Sequence, residues 1–224
     1  MSDIRRHFHE DLAELERIVL SMGAEARDAV SHASRAIVSG DVGEARSALA
    51  EKEDVLAAAL EFERLWLQTM ALQTPVAVDL RTMSVLQTVT HSVSRIAAQA
   101  ANIARIVIDT ADMPRDSVIV GQLKEMGDLT DPMLRLAFEA IEKRNPEIHA
   151  RLDEMDEPVD AISRNMYREV VRTADDEGRL AWATRALIAS RAYERIGDRS
   201  VSIAEQVVFL VSGELGSGVD DDDE

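Results

Sequence analysis

The sequence predicts an all-α protein of two tandem three-helix bundles related by a pseudo-two-fold, and three observations carry that expectation. Aromatic residues make up only 4 % while Ala, Leu, Glu, Arg and Met are plentiful, a mix suited to helices that pack through aliphatic stripes. The five prolines and ten glycines gather at a few places, leaving long uninterrupted segments between them. A segment beginning at Ser94 returns, without gaps, at Glu194.

The elements follow in order. Phe8, Leu12, Leu15, Val19, Met22, Ala26, Ala29, Ala33 and Ile37 step by three and four, one apolar stripe on a helix over residues 3–38. Ser39-Gly40-Asp41 is a turn, and a second helix covers 42–72. Thr74-Pro75 reads as the cap and first residue of a third helix that continues to Asp109. Thr110-Ala-Asp-Met-Pro114-Arg-Asp-Ser117 is a linker. The fourth helix, 118–143, carries Gly127 and Pro132, where a kink or break is expected. Asn145-Pro146 turns the chain into a fifth helix ending at Thr173. Asp175-Asp-Glu-Gly178 then separates it from a sixth, over 179–212, with a heptad-like seam from Leu180 to Val211. In each half the second and third helices are expected to be the longest.

The halves are related. Arg95, Ile96, Ile103, Ala104 and Val107 match Arg195, Ile196, Ile203, Ala204 and Val207 at a constant offset of 100, in the same helix of each half. Duplication divides the chain into a first unit over 1–112 and a second over 113–213. The remainder, 214–224, is Gly-rich and then acidic, a composition expected to be disordered.

A formal charge of −17 opposes binding to nucleic acid, whose phosphates require Lys and Arg, and it opposes anionic membranes equally. The absence of cysteine excludes disulfides and thiolate metal sites. No apolar run approaches the ~18 residues of a spanning helix, and the first residues lack the apolar core of a signal peptide. A cytoplasmic location is expected, with a positive surface or a metal cation as partner.

Chemistry concentrates in Tyr193-Glu-Arg-Ile-Gly-Asp-Arg. Glu194 and Asp198 lie four apart on one helical face, and Asp156 and Asp160 do the same on the preceding helix. Four converging carboxylates repel unless a hard cation joins them. With 42 acids in the chain, chance alone supplies on the order of eight such pairs, so spacing by itself marks no site. Gly197 says more, because a mid-helix glycine costs ~1 kcal/mol relative to alanine and usually has a packing or access reason. No phosphate loop, dinucleotide fingerprint or His-Glu-x-x-His motif is present, nor any nucleophile paired with a base. Trp66 and Trp182 read as core or interface residues.

Taken together, the duplicated layout, Pro75-Val-Ala-Val-Asp79-Leu-Arg81 and Glu194-Arg-Ile-Gly-Asp198-Arg resemble the PhoU family of phosphate-uptake regulators over residues 4–214. The resemblance implies a non-enzymatic cytoplasmic regulator acting between the ATPase of a phosphate ABC transporter and a sensor histidine kinase, and it leaves a homodimer open. It also implies iron, zinc or another divalent cation held by paired acids on the second and third helices of each unit. Asp156, Asp160, Glu194 and Asp198 fill those places in the second unit. The first unit has Lys52, Leu56, Ser94 and Ala98 instead, so metal is expected in the second unit only. The seam of the first should be closed by small residues around Ala97 and Ala98. Pro158, between Asp156 and Asp160, threatens their shared face. Competing readings are an accessory protein of an ion-coupled phosphate permease, a metal-dependent enzyme, and a metal-binding or storage bundle.

Overall fold

The computed structural model describes residues 3–73 and 75–214. Six helices account for nearly all of them: α1 (Asp3–Ser39), α2 (Val42–Leu72), α3 (Val78–Asp109), α4 (Ser117–Lys143), α5 (Ile148–Arg172) and α6 (Glu177–Ser212). There is no strand among the described residues. Carboxylates supply several of the starts. Asp41 accepts from the amides of Gly43 and Glu44, Asp116 from Val118 and Ile119, and Asp176 from Arg179, satisfying donors that a helix N-terminus leaves open. Gly40 and Gly213, both with φ near +80°, close α1 and α6.

α1, α2 and α3 pack on one another, and so do α4, α5 and α6. The two bundles meet through α3 against α6 and α1 against α4, while α2 and α5 each touch only their own bundle. The expected stripe on α1 is buried from Phe8 to Ile37, with Leu12 partly so, and one apolar core runs through both bundles. Polar ties reinforce the junction. Arg27 Nε lies 2.8 Å from Asp131 Oδ1, Arg144 donates to Glu16 at 2.7 Å, and the Tyr193 hydroxyl donates to Ser34 Oγ at 2.8 Å. Arg115, in the linker, donates to the carbonyls of Ile37 and Val38 and lies over the Trp182 ring.

Three expectations are corrected. α3 begins at Val78 rather than at Pro75, because Ala77 adopts φ +49°, which no helix continues through; Thr74 lies outside the described residues. α4 runs unbroken through Gly127 and Pro132. Its packing against α1, α5 and α6 outweighs the bond that Pro132 cannot make, and Gly127 serves close approach, since a Cβ there would press on Ser34 Oγ at 2.9 Å. The longest helices are α1 and α6, with 37 and 36 residues, while α5 has 25. The expected disordered tail falls outside the described residues apart from Glu214. Among the described residues no helix is long and apolar enough to cross a membrane.

Candidate metal centre

α5 and α6 form the outward seam of the second bundle. α5 continues through Pro158, so Asp156 and Asp160 keep one face despite the proline. Together with Asp198 of α6 they bring three carboxylate oxygens within 4.8 Å of one another. Gly197 explains how so close an approach is possible. A Cβ at this position would overlap Asp156 Oδ1 and meet Met133 Cε at 3.6 Å, so glycine leaves the room that the carboxylate occupies. Glu194 points the same way but is held differently. Arg191 grips it at 2.9 and 2.6 Å, and the Ser163 hydroxyl donates to its Oε2.

The electrostatics are those of crowded acids only partly offset by arginines, with Arg164 3.5 Å from Asp160 Oδ2. Burial, and then the charges of Asp198 and Asp160, push the Asp156 carboxyl up to about 7. Desolvation, followed by Asp160 and Glu194, raises Asp198 to about 6. Asp160 is raised too, by burial and by Glu194, against the pull of Arg164. Asp156 Oδ1 and Asp160 Oδ1 are buried with no hydrogen-bond partner. Buried acceptors are nearly always satisfied, so these two oxygens fit a cation as their missing partner. A hard divalent ion matches the all-oxygen donor set.

The corresponding seam of the first bundle, between α2 and α3, is built otherwise. Lys52 is paired with Glu53 at 2.9 Å, and Leu56 and Ser94 line an apolar pocket of about 280 Å³ with Phe62, Trp66 and His91. Ala97 is fully buried and Ala98 partly, in keeping with close packing there, while the pocket opens further along the seam, where Ser94 lines it. No anionic oxygen stands at any of the four counterpart positions, so this seam does not fit a metal. Trp182 is a core residue as expected, and Trp66 is half-buried, its indole N–H donating to the Met83 carbonyl at 3.0 Å.

Sequence reasoning missed Ser163 and Arg191 as partners of Glu194. Arg191 was visible at i−3, whereas Ser163 comes from another helix and left no local signal. Arg81 of the Pro75–Arg81 motif reaches the carbonyl of Phe209 at 3.5 Å, in the last turn of α6, so the motif ties the start of α3 to the end of the other bundle.

The fold and site define a class: a duplicated three-helix bundle in which one repeat gathers carboxylates at its outer seam and the other does not. The family model described as PhoU domain matches residues 19–107 and again 123–207, and the chain belongs to this family. A phosphate-specific transport system accessory protein PhoU homolog from Zymomonas mobilis is 28 % identical over 92 % of this chain and 87 % of its own length. The PhoU homolog 2 of Mycobacterium tuberculosis is 28 % identical over 94 % of this chain and 99 % of its own. The crystal structure of PhoU from Pseudomonas aeruginosa superposes with a TM-score of 0.88 at 23 % identity, covering 92 % of this chain and all of the other, which shows the shared fold.

Proposed function

We propose that this chain is a non-enzymatic regulator that restrains phosphate uptake and phosphate-starvation signalling from the cytoplasm. It acts as an adaptor between the ATPase of a phosphate ABC transporter and a sensor histidine kinase. The observation that carries the reading is the double PhoU-domain match, one in each bundle, with relatives named as accessory proteins of the phosphate-specific transport system along nearly the whole chain. The units 1–112 and 113–213 divide the work, and only the second holds a cation. Asp156, Asp160 and Asp198 supply its oxygens, and Glu194 joins them when it leaves Arg191. The cation neutralises the crowded seam and fixes α5 against α6, a structural role that calls for no substrate.

Deleting the gene tests this. Cells grown with ample phosphate should express phosphate-starvation genes and take up excess phosphate. Unchanged transcripts with altered uptake through an ion-coupled permease would move the protein to that system. No change in either would remove it from phosphate control.

A further inference from the structure

The apolar pocket between α2 and α3 differs from a packing defect in two ways. Three polar side chains on its wall, Glu63, Gln87 and His91, have no hydrogen bond or ion pair to other described residues. Its rim is also apolar and exposed: Leu60 is 68 % accessible and Leu67, two turns further along α2, is 56 % accessible. Leu56, Leu60, Glu63 and Leu67 follow one another at intervals of four, three and four, the spacing by which one helix receives another. The counterpart stripe on α5 reads Asp160, Arg164, Tyr167 and Val171, and Arg164 there is paired with Glu157 at 2.6 Å. The difference lies at the first two positions, where Leu56 and Leu60 stand against Asp160 and Arg164, while Tyr167 and Val171 are exposed apolar residues as Leu67 is.

Size and charge define the occupant. About 280 Å³ falls below the ~300–1,000 Å³ usual for pockets that enclose a small molecule, yet it holds one or two side chains. Flanking exposed leucines around such a pocket match the anchor-and-rim anatomy of a protein interface. Glu63 puts an unpaired negative charge at the wall of a chain whose net charge is −17, so an acidic partner is repelled and a basic one drawn in. We propose that the α2/α3 pocket receives an apolar anchor side chain from a basic amphipathic helix of a partner protein, flanked by Leu60 and Leu67, with Glu63 pairing a Lys or Arg beside the anchor. Where the second bundle keeps ligands for a cation, the first has a docking seam for a helix. This inference stands on the pocket and does not rest on the phosphate reading.

The test uses the full chain and a fluorescently labelled peptide with leucine at successive a and d positions and lysine elsewhere. Two controls accompany it: the same residues scrambled so that no leucine face forms, and the same pattern with glutamate for lysine. The patterned lysine peptide should bind at least about tenfold more tightly than either control. Leu60→Arg, which copies Arg164 of the other bundle at an exposed position, should remove that advantage while leaving the thermal melt unchanged. Glu63→Gln should narrow the gap between the lysine and glutamate peptides. Equal binding of patterned and scrambled peptides would reduce the effect to net charge and overturn the proposal, as would full binding by the Leu60→Arg protein. Sedimentation showing a self-associated chain that Leu60→Arg dissociates would also overturn it, by making a second copy the occupant. Because no transporter enters the measurement, its failure leaves the phosphate reading standing, and the gene deletion can fail without touching it.

Discussion

At the α5/α6 seam, Asp156, Asp160 and Asp198 crowd together with two buried oxygens unpartnered, while at the α2/α3 seam the same positions hold Lys52, Leu56 and Ala98 beside an apolar pocket. Both seams join the second and third helices of a three-helix bundle, and in both the second helix touches only its own bundle. The helix arrangement therefore does not depend on a ligand set. What changes is the residue that permits approach: Gly197 admits a carboxylate in one bundle, and Ala97, its counterpart, is simply buried in the other. The carboxylate seam holds acids whose burial and mutual repulsion raise their pKa values, and the apolar seam leaves Leu60 exposed beside its pocket.

The largest expected difference between the seams is metal loading. Stoichiometric divalent metal, measured by elemental analysis after removal of residues 215–224, should vanish on replacing both Glu194 and Asp198 by alanine and persist in Ser94→Ala. Metal that survives the double substitution would break the comparison. Gly197→Ala comes next. Mid-helix glycine to alanine ordinarily gains ~1 kcal/mol, but here the methyl group collides with Asp156. Only the terminal oxygen of a flexible side chain stands in the way, so Asp156 can swing aside. Stability read by urea denaturation should therefore change by less than about 1 kcal/mol while metal binding weakens. The mirror change, Ala97→Gly, should cost ~1 kcal/mol through helix propensity and leave metal untouched. If Gly197→Ala binds metal as tightly as the wild type, the position of Asp156 against Gly197 does not matter to the site.

How much of this was legible in the sequence depends on the range of the cause. The helices were readable because their apolar stripes are local and periodic, and Gly197 stood out because an unfavourable residue in a good helix demands a reason. The start of α3 was not readable, since nothing in Ala77 announces a positive φ. The continuity of α4 was hidden because Pro132 is penalised locally and rescued only by tertiary packing. That Ser94 and Ala98 stand opposite Glu194 and Asp198 was plain from the repeat, whereas Lys52 and Leu56 were placed through the family resemblance. That a pocket opens beside Ser94 depends on how Trp66, Phe62 and the α3 residues pack in space, which no spacing records. The diversion of Glu194 toward Ser163 has the same origin, a contact between helices.

A smaller difference should appear as pH dependence. The folded-state values of Asp156, about 7, and Asp198, about 6, lie above the ordinary 3.8. The folded protein thus binds more protons than the unfolded chain across that interval, and stability falls as pH rises from 3.8 through about 7. Metal-stripped protein should melt at a higher temperature at pH 5 than at pH 8. Asp156→Asn should flatten the profile, and a divalent cation at pH 8 should restore the loss. A flat profile in the metal-stripped wild type would mean the carboxylates are better solvated than their burial implies.

The smallest effect on the seam itself comes from how the carboxylate bundle is tied to its neighbour. Tyr193 precedes Glu194 and is fully buried, and burial pushes its phenol well above the ordinary value, so it remains a neutral donor. Its hydroxyl reaches across Gly127 to Ser34 of α1, whereas its counterpart Val93 is an apolar core residue with nothing to donate. Ser34 lines a cleft between α1 and α4, so its own oxygen can turn to water when the partner is removed. Tyr193→Phe should therefore cost only about 1 kcal/mol, the net value of one hydrogen bond, with metal loading intact. Ser34→Ala should cost more, about 1–3 kcal/mol, because it leaves the fully buried Tyr193 hydroxyl unpaired, and the double variant should cost no more than Ser34→Ala alone. Additive losses in this cycle would mean that the two side chains act separately, and that the bundles are held together here by packing alone.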